Sequence, residues 1–397
     1  MSTNKDIATE PKRKSSALND PQVRGYIFQT LLIAFLVWFG WVIFQNTLHN
    51  MESRGITTGF DFLQNPAGFE ILMSLIPYSS NDTYGRTFVV GLLNTVLVAG
   101  LGIFFATILG FIIGIARLSK NWLVAKVASV YVETLRNIPL LLQIFFWYFA
   151  VLQPLPSPRQ SIDFASAVFA NNRGLYVPAP IAGDGLGAVI VIFFLGIIGS
   201  IFMVKWARKR QEATGQQFPV LYASLGLIIG LPIITYFILG APLTWEMPEL
   251  KGFNFKGGVR VIPELIALLL ALTTYTASFI AEIVRAGIQS VAHGQTEAAA
   301  ALGIRRSVAL RLIIIPQAMR VVIPPLTSQY LNLAKNSSLA TAIGYPDIVS
   351  VFMGTTLNQT GQAVEIVAMT MGVYLVISLT LSFFMNWYNK SMALKER

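Results

Sequence analysis

Residues 294–316, "GQTEAAAALGIRRSVALRLIIIP", stand between two long apolar runs, too polar to remain in hydrocarbon and too short to fold alone. Thr296 can cap the start of a short helix, Glu297 then sits where a helix dipole favours negative charge, and Gly303 can take the left-handed conformation that ends it. The spacing predicts barely two turns, marginal in water unless something packs on them. Ala298, Ala301 and Leu302 share one face at i, i+3 and i+4, and the alanines let a partner surface approach the backbone closely. From spacing alone, a plain interfacial turn between two spans is an equal alternative.

The rest of the chain sets the context. Of 397 residues, 54% are hydrophobic and 12% charged, whereas charged residues make up about a quarter of soluble domains. This is the composition of a membrane protein. The formal charge of +10 lies in short clusters beside apolar runs, as in cytoplasmic loops, and not on a surface suited to nucleic acid. The absence of cysteine excludes disulfides, thiolate nucleophiles and Cys metal sites. Histidine chemistry is poorly supplied, with only His49 and His293, and no GxxxxGK[ST] phosphate loop occurs. The glycines of 183–187 follow a Pro-rich loop and predict a turn.

A helix needs about 20 mostly apolar residues to cross the hydrocarbon. Eight stretches qualify, near 26–44, 88–116, 130–152, 186–204, 219–239, 261–286, 312–334 and 363–387. The first has a longer apolar run than a signal peptide and no A-x-A cleavage site, so a retained anchor is expected. Basic residues concentrate in alternate connections: Lys5 to Arg24, then Arg117, Lys120 and Lys126, then Lys205 to Arg210, then Arg305, Arg306 and Arg311, then Lys390 to Arg397. That bias predicts cytoplasmic termini and places 294–316 in the cytoplasm. "GFDFLQNPAGFEI" from Gly59 predicts an amphipathic helix along the outer leaflet, and the polar first 20 residues predict disorder.

Glu297, Ala298, Ala299, Gly303, Ile313 and Pro316 resemble the EAA loop of ABC importer permeases, an E-A-A followed by Gly and then I-x-L-P, with Ile315 where Leu is usual. Three further runs resemble the polar amino-acid branch of that family: "ETLRNIPLLLQ" from Glu133, "AEIVRAGI" from Ala281 and "PQAMRVVIPPLTSQYLNLAKNSSL" from Pro316. Asn137, Ile138 and Ala286 depart from the branch pattern. The longer layout resembles permeases of general L-amino-acid or glutamate/glutamine/aspartate/asparagine importers.

The resemblance implies an all-α integral membrane protein of about eight transmembrane helices, with a five-helix type I permease core and a cytoplasmic coupling helix. Its segments would be a cytoplasmic tail (1–25), an extra anchor and outer loop (26–87), a first core segment (88–152), inserted loops with two extra spans (153–260), a second core segment (261–390) and a C-terminal tail (391–397). The implied partners are a dimer of ATP-binding subunits, which carry ATP and Mg, a second related permease, a periplasmic amino-acid-binding protein and membrane lipid. The chain itself would bind no cofactor and catalyse no reaction, in a bacterial inner membrane. The ATPase-coupling residues implied are Glu297, Ala298, Ala299, Ala301, Leu302, Gly303, Arg305 and Pro316.

Ionisable groups inside spans usually face a partner, a cavity or a site. Glu282 and Arg285 lie three apart on one helix face, as do Glu133 and Arg136; each pair either neutralises itself or serves the transport path. Pro316, Pro324 and Pro325 are expected to interrupt the seventh span, while Arg320, Asn332, Lys335 and Asn336 keep it from lipid, making it the best candidate to line the path. Asn332, Asn336, Ser337 and Ser338 could bond a zwitterion or simply join helices, and Tyr275 and Ser278 belong to a second polar stripe with Thr273 and Thr274. Two rivals to the importer stay open: a secondary amino-acid transporter using Glu133, Glu264 and Glu282 as ion sites, and a non-transporting membrane scaffold.

Overall fold

The computed structural model describes residues 21–53 and 58–392. Of the tails expected at 1–25 and 391–397, residues 1–20 and 393–397 lie outside the described residues, as does Arg54.

Helix α1 (Pro21–Ser53) buries none of its apolar stretch against the rest of the chain. Helix α2 (Tyr84–Ala116) is capped by Thr83, and α3 (Trp122–Asn137) by Asn121, whose Oδ1 accepts the Leu123 and Val124 N–H groups at 3.0 and 3.3 Å. The continuous span expected over 130–152 is not observed. Ile138 precedes Pro139 and is held extended, so α3 ends there; α4 (Leu140–Phe145) and the π turn Phe146–Leu152 continue at 107° to it. A hairpin follows, formed by α5 (Leu186–Thr214) and a return of α6 (Val220–Leu225), a π turn and α7 (Leu231–Ile238). Helix α8 (Pro263–Gln289) leads into α9 (His293–Ala301) and α10 (Arg306–Ala309), and a π turn, Leu310–Ile314, opens α11 (Ile315–Asn336). The chain then passes through a 3₁₀ segment (Ser337–Ile343), a π segment (Val349–Thr356) and α12 (Leu357–Thr360) into α13 (Ala363–Met392). Among the described residues, seven helical segments are long and apolar enough to cross a membrane, or eight with the bent pair counted as one span.

The core forms where α2, α8 and α11 meet. Helix α2 turns a stripe of small residues inward, with Gly102, Ala106, Gly110 and Gly114 all buried. A Cβ at Gly110 would lie 2.6 Å from the Ile280 Cβ, and one at Gly114 would lie 2.8 Å from the Ala281 carbonyl, so the α2 and α8 backbones touch only because these side chains are missing. Nearer the other end of α2, Asn94 Nδ2 donates to the Met73 and Pro346 carbonyls, both at 2.9 Å, and Thr95 Oγ1 accepts the Ile348 N–H at 3.0 Å. These bonds hold the irregular stretch 344–348 inside the bundle, where its polar backbone must find partners in protein.

Two further expectations are corrected. The seventh span is not broken at its prolines: the helical run continues from Arg306 through the π turn Leu310–Ile314 and Pro316, and α11 runs unbroken past Pro324 and Pro325. The stretch from Gly59 is not an amphipathic helix but one 3₁₀ turn, Asp61–Gln64. Its Phe62 is buried among Tyr84 and Phe352, and the Gly59 N–H donates to Glu365 Oε1 at 2.8 Å.

The chain is mainly helical, as expected, with small strands added in its outer connections. The connections flanking the α5–α7 hairpin hold eight short strands: β1 (Ile162–Phe164), β2 (Val168–Asn171), β3 (Gly174–Val177), β4 (Ala179–Ala182), β5 (Leu243–Glu246), β6 (Glu249–Lys251), β7 (Asn254–Lys256) and β8 (Val259–Val261). An antiparallel sheet runs β1-β2-β3-β8, with β4–β5 and β6–β7 as separate ribbons. Phe255 packs on Phe169 and Tyr176 at 4.7 and 4.8 Å between ring centres, which gives the module its own small core. Ribbon β4–β5 joins the two ends of the inserted hairpin, so the insertion leaves the bundle and returns at one place.

Candidate functional site

Helix α9 begins earlier than its sequence suggests. His293 is its first residue and Ala292 enters extended with no side-chain cap, so Thr296 lies within the helix and does not cap it. His293 Nδ1 and Glu297 Oε1 are 3.0 Å apart on its exposed side. The exit follows the expected rule: Gly303 has φ +69°, its N–H donates to the Ala300 carbonyl at 3.0 Å, and the Ile304 N–H reaches the Ala299 carbonyl at 3.0 Å. This pair of bonds closes the helix end without help from another chain.

The alanines divide between two faces. Ala299 is buried against the protein, whereas Ala298, Ala301 and Leu302 point away from it, Leu302 being 78% exposed. Behind the helix, a groove of about 480 Å³ is bounded by Lys120, Thr296, Ala299, Ile304, Ala309 and Ile314. Arg305 is exposed where α10 begins, and Pro316 is half-buried at the start of α11.

A side-chain bond links α9 to the bundle: Gln317 Nε2 on α11 donates to Gln295 Oε1 on α9 at 3.5 Å. Ser290, at the end of α8, turns its hydroxyl back to the Gly287 carbonyl of α8 itself, at 2.8 Å. Close by, Glu282 bonds to Arg285, as the i, i+3 spacing suggests, and also to Arg117 just past the end of α2. The second bond joins two helices far apart in sequence. Arg117 was legible only as a flanking positive charge, because its approach to α8 depends on the glycine contacts that bring α2 so close.

With these elements in place, relatedness decides the family. A family model described as binding-protein-dependent transport system inner membrane component matches residues 216–394. The chain is 56% identical to YhdX of Escherichia coli (strain K12), whose name marks it as an amino-acid ABC transporter permease, over 96% of this chain and 98% of that relative. It is 53% identical to AapQ of Rhizobium johnstonii, a general L-amino acid transport system permease protein, over 96% and 95% of the two chains. BztB of Rhodobacter capsulatus, a glutamate/glutamine/aspartate/asparagine transport system permease protein, shares 43% over 98% and 100%.

The chain belongs to the ABC transporter permeases. The permease is thus the non-catalytic membrane subunit of an ATP-driven transporter. The ion-gradient alternative falls with this assignment, and the carboxylates agree: Glu282 is held by two arginines and Glu264 accepts the Tyr148 hydroxyl at 2.9 Å. Among the described residues, no group of His, Asp and Glu could hold a metal.

The expected path residues do not form one set. Glu133 and Arg136 do not pair: both are exposed, and the Arg136 guanidinium lies 5.0 Å from the centre of the Phe279 ring. Ser278 and Ser337 are buried and donate to the Tyr275 and Ala334 carbonyls of their own helical turns, as buried hydroxyls in spans commonly do. Tyr275 packs on Phe279 with the ring centres 4.9 Å apart and the rings tilted by 59°. Arg320 is half-buried on α11 with its Nε lacking a hydrogen-bond partner, Asn332 is exposed and Asn336 is half-buried.

Lys335 and Ser338 do come together. They line a cavity of about 520 Å³ with Thr370, Tyr374 and Ser378 of α13, and Val349, Met353 and Leu375 supply its apolar wall. Tyr374 in turn donates to the fully buried Asp347 at 3.4 Å. The α13 contributors carry no sequence signal, since a lone Thr, Tyr or Ser in an apolar span reads as packing.

Proposed function

We propose that this permease carries polar or general L-amino acids inward across a bacterial inner membrane, with both termini in the cytoplasm. Its partners in this reading are a pair of ATP-binding subunits that hold Mg and ATP, an extracytoplasmic amino-acid-binding protein and a second, related permease. The names of the relatives support the substrate class. The observation that carries the coupling role is the outward face of α9, with Leu302 at its tip and Ala299 tucked behind.

In this reading the five-span core comprises 88–152 and 261–390. Closure of the ATP-binding pair displaces the segment from Glu297 to Gly303, with Arg305 beside it. The movement enters α11 through Pro316 and the Gln295–Gln317 bond, and α8 through the short connection 290–292 that joins it to α9. Nucleotide and amino acid must each bind one state better than the other for the cycle to run. The substrate path follows α11, where Lys335 can meet a carboxylate and Ser338 an ammonium group, with Asn332, Asn336 and Arg320 on the same helix.

Leu302→Asp tests the coupling role. Because Leu302 is exposed, stability should change by no more than about 0.5 kcal/mol. Co-purification of the ATP-binding subunit and amino-acid uptake should both be lost, and a variant that still co-purifies and transports at wild-type level would refute the docking face.

A further inference from the structure

The inserted hairpin ends in a feature that coupling leaves unused. Helix α5 has 29 residues, about 43 Å at 1.5 Å per residue, whereas the hydrocarbon is about 30 Å thick. Its apolar part, 186–204, fills that thickness, so 205–214 emerge at headgroup level. On this stub Lys205, Arg208 and Lys209 lie at i, i+3 and i+4, all exposed on one face. Among the described residues, no carboxylate comes within ion-pair distance of any of them, although Glu212 follows one turn on.

An aromatic corner holds the stub in place. Trp206 meets Phe218, in the connection before α6, edge to face at 5.4 Å between ring centres, and the Arg210 guanidinium lies 5.4 Å from the centre of the Trp206 ring. Gly215, with φ +71°, turns the chain between them. Tryptophan, with its apolar ring and one N–H, settles at the boundary between hydrocarbon and water. Like α8, α5 runs from the β-module end of the bundle to the end that carries α9, so the three cations face the leaflet beside the coupling helix.

We propose that Lys205, Arg208 and Lys209 form a binding face for the phosphate headgroups of anionic phospholipids in that leaflet, and that the inserted hairpin is a lipid-anchored outrigger of the permease. Three cations on one helix face at headgroup depth, with the Trp206–Phe218 contact beside them, match a row of lipid phosphates better than they match free solvent. Each basic side chain near an anionic surface favours it about fivefold, which is on the order of a hundredfold for three acting together.

The test uses the assembled transporter in nanodiscs of equal parts phosphatidylcholine and phosphatidylglycerol, with native mass spectrometry counting the phosphatidylglycerol retained per complex. The triple variant Lys205→Gln, Arg208→Gln, Lys209→Gln should lose the retained phosphatidylglycerol by roughly tenfold or more. A control removing Arg24, Lys126 and Lys390, exposed cations at the same end of the bundle, should keep it. The proposal is overturned if the triple variant retains phosphatidylglycerol like the wild type, or if the control loses as much, which would make the effect one of bulk charge. Loss of a protein subunit from the triple variant with lipid unchanged would also overturn it, by giving the face to a protein partner.

Discussion

The Arg117 guanidinium, one residue past the end of α2, bonds to the Glu282 carboxylate on α8, and Arg285 bonds to the same carboxylate from the next turn. One acid therefore ties together two helices that would otherwise end with adjacent, partly buried cations. Glu282→Gln should lower stability by about 1–3 kcal/mol, because it leaves both arginines without a counter-charge. Arg117→Ala should loosen α2 from α8 more than Arg285→Ala does, since only the former breaks a bond between helices. Thermal unfolding of the three variants in detergent would show whether that order holds.

Gly110 is set by close approach. Gly110→Leu would drive a side chain into Ile280 and should cost at least about 2 kcal/mol, while Gly100→Leu, with nothing within 4 Å of its Cβ position, should be nearly neutral. Comparing the two melting temperatures separates steric overlap from any general intolerance of leucine in α2.

Gly303 differs, being open in space but left-handed in backbone, with no atom within 4 Å of a Cβ position. Gly303→Ala should therefore cost only about 1 kcal/mol of local strain. Gly303→Pro cannot adopt a positive φ and loses the bond to the Ala300 carbonyl, so α9 should unwind at its end. Membrane insertion should be normal in both, and co-purification of the ATP-binding subunit should fail only for proline.

At the α11–α13 cavity, Lys335→Gln and Ser338→Ala should each raise the apparent KM for amino-acid uptake several-fold, equivalent to about 1 kcal/mol, with little change in expression. Thr235→Ala, on α7 of the inserted hairpin and outside the cavity lining, should leave KM unaltered. Equal KM changes at all three positions would argue against the cavity as a substrate contact.

Absence of cysteine makes sidedness directly measurable. Single cysteines at Ala300 and Gln216 should react with an impermeant maleimide only after the inner face is exposed, and one at Phe253 in the β-module should react in intact cells. The reverse pattern would invert the proposed orientation.

Much of this architecture was legible in the chain because it rests on local chemistry. Apolar runs of spanning length, the bias of basic residues and the left-handed glycine after the short helix depend on residues close together in sequence. The small strands were missed because three or four residues between Pro and Gly carry too little periodicity to stand out, and their pairing partners, such as Val177 and Val259, are more than 80 positions apart. The bend at Pro139 had a local signal, whereas its angle of 107° did not.

By itself, the sequence determined that this is a many-span membrane chain with a short polar helix between two spans, since hydrocarbon rejects an unbonded backbone and charge. Only the tertiary structure decided that Arg117 meets Glu282, that Ala299 turns inward while Leu302 turns out, and that Lys335 shares a cavity with Tyr374. Those outcomes depend on how closely glycine-bearing helices can approach, a property of pairs of surfaces that no single stretch of chain contains.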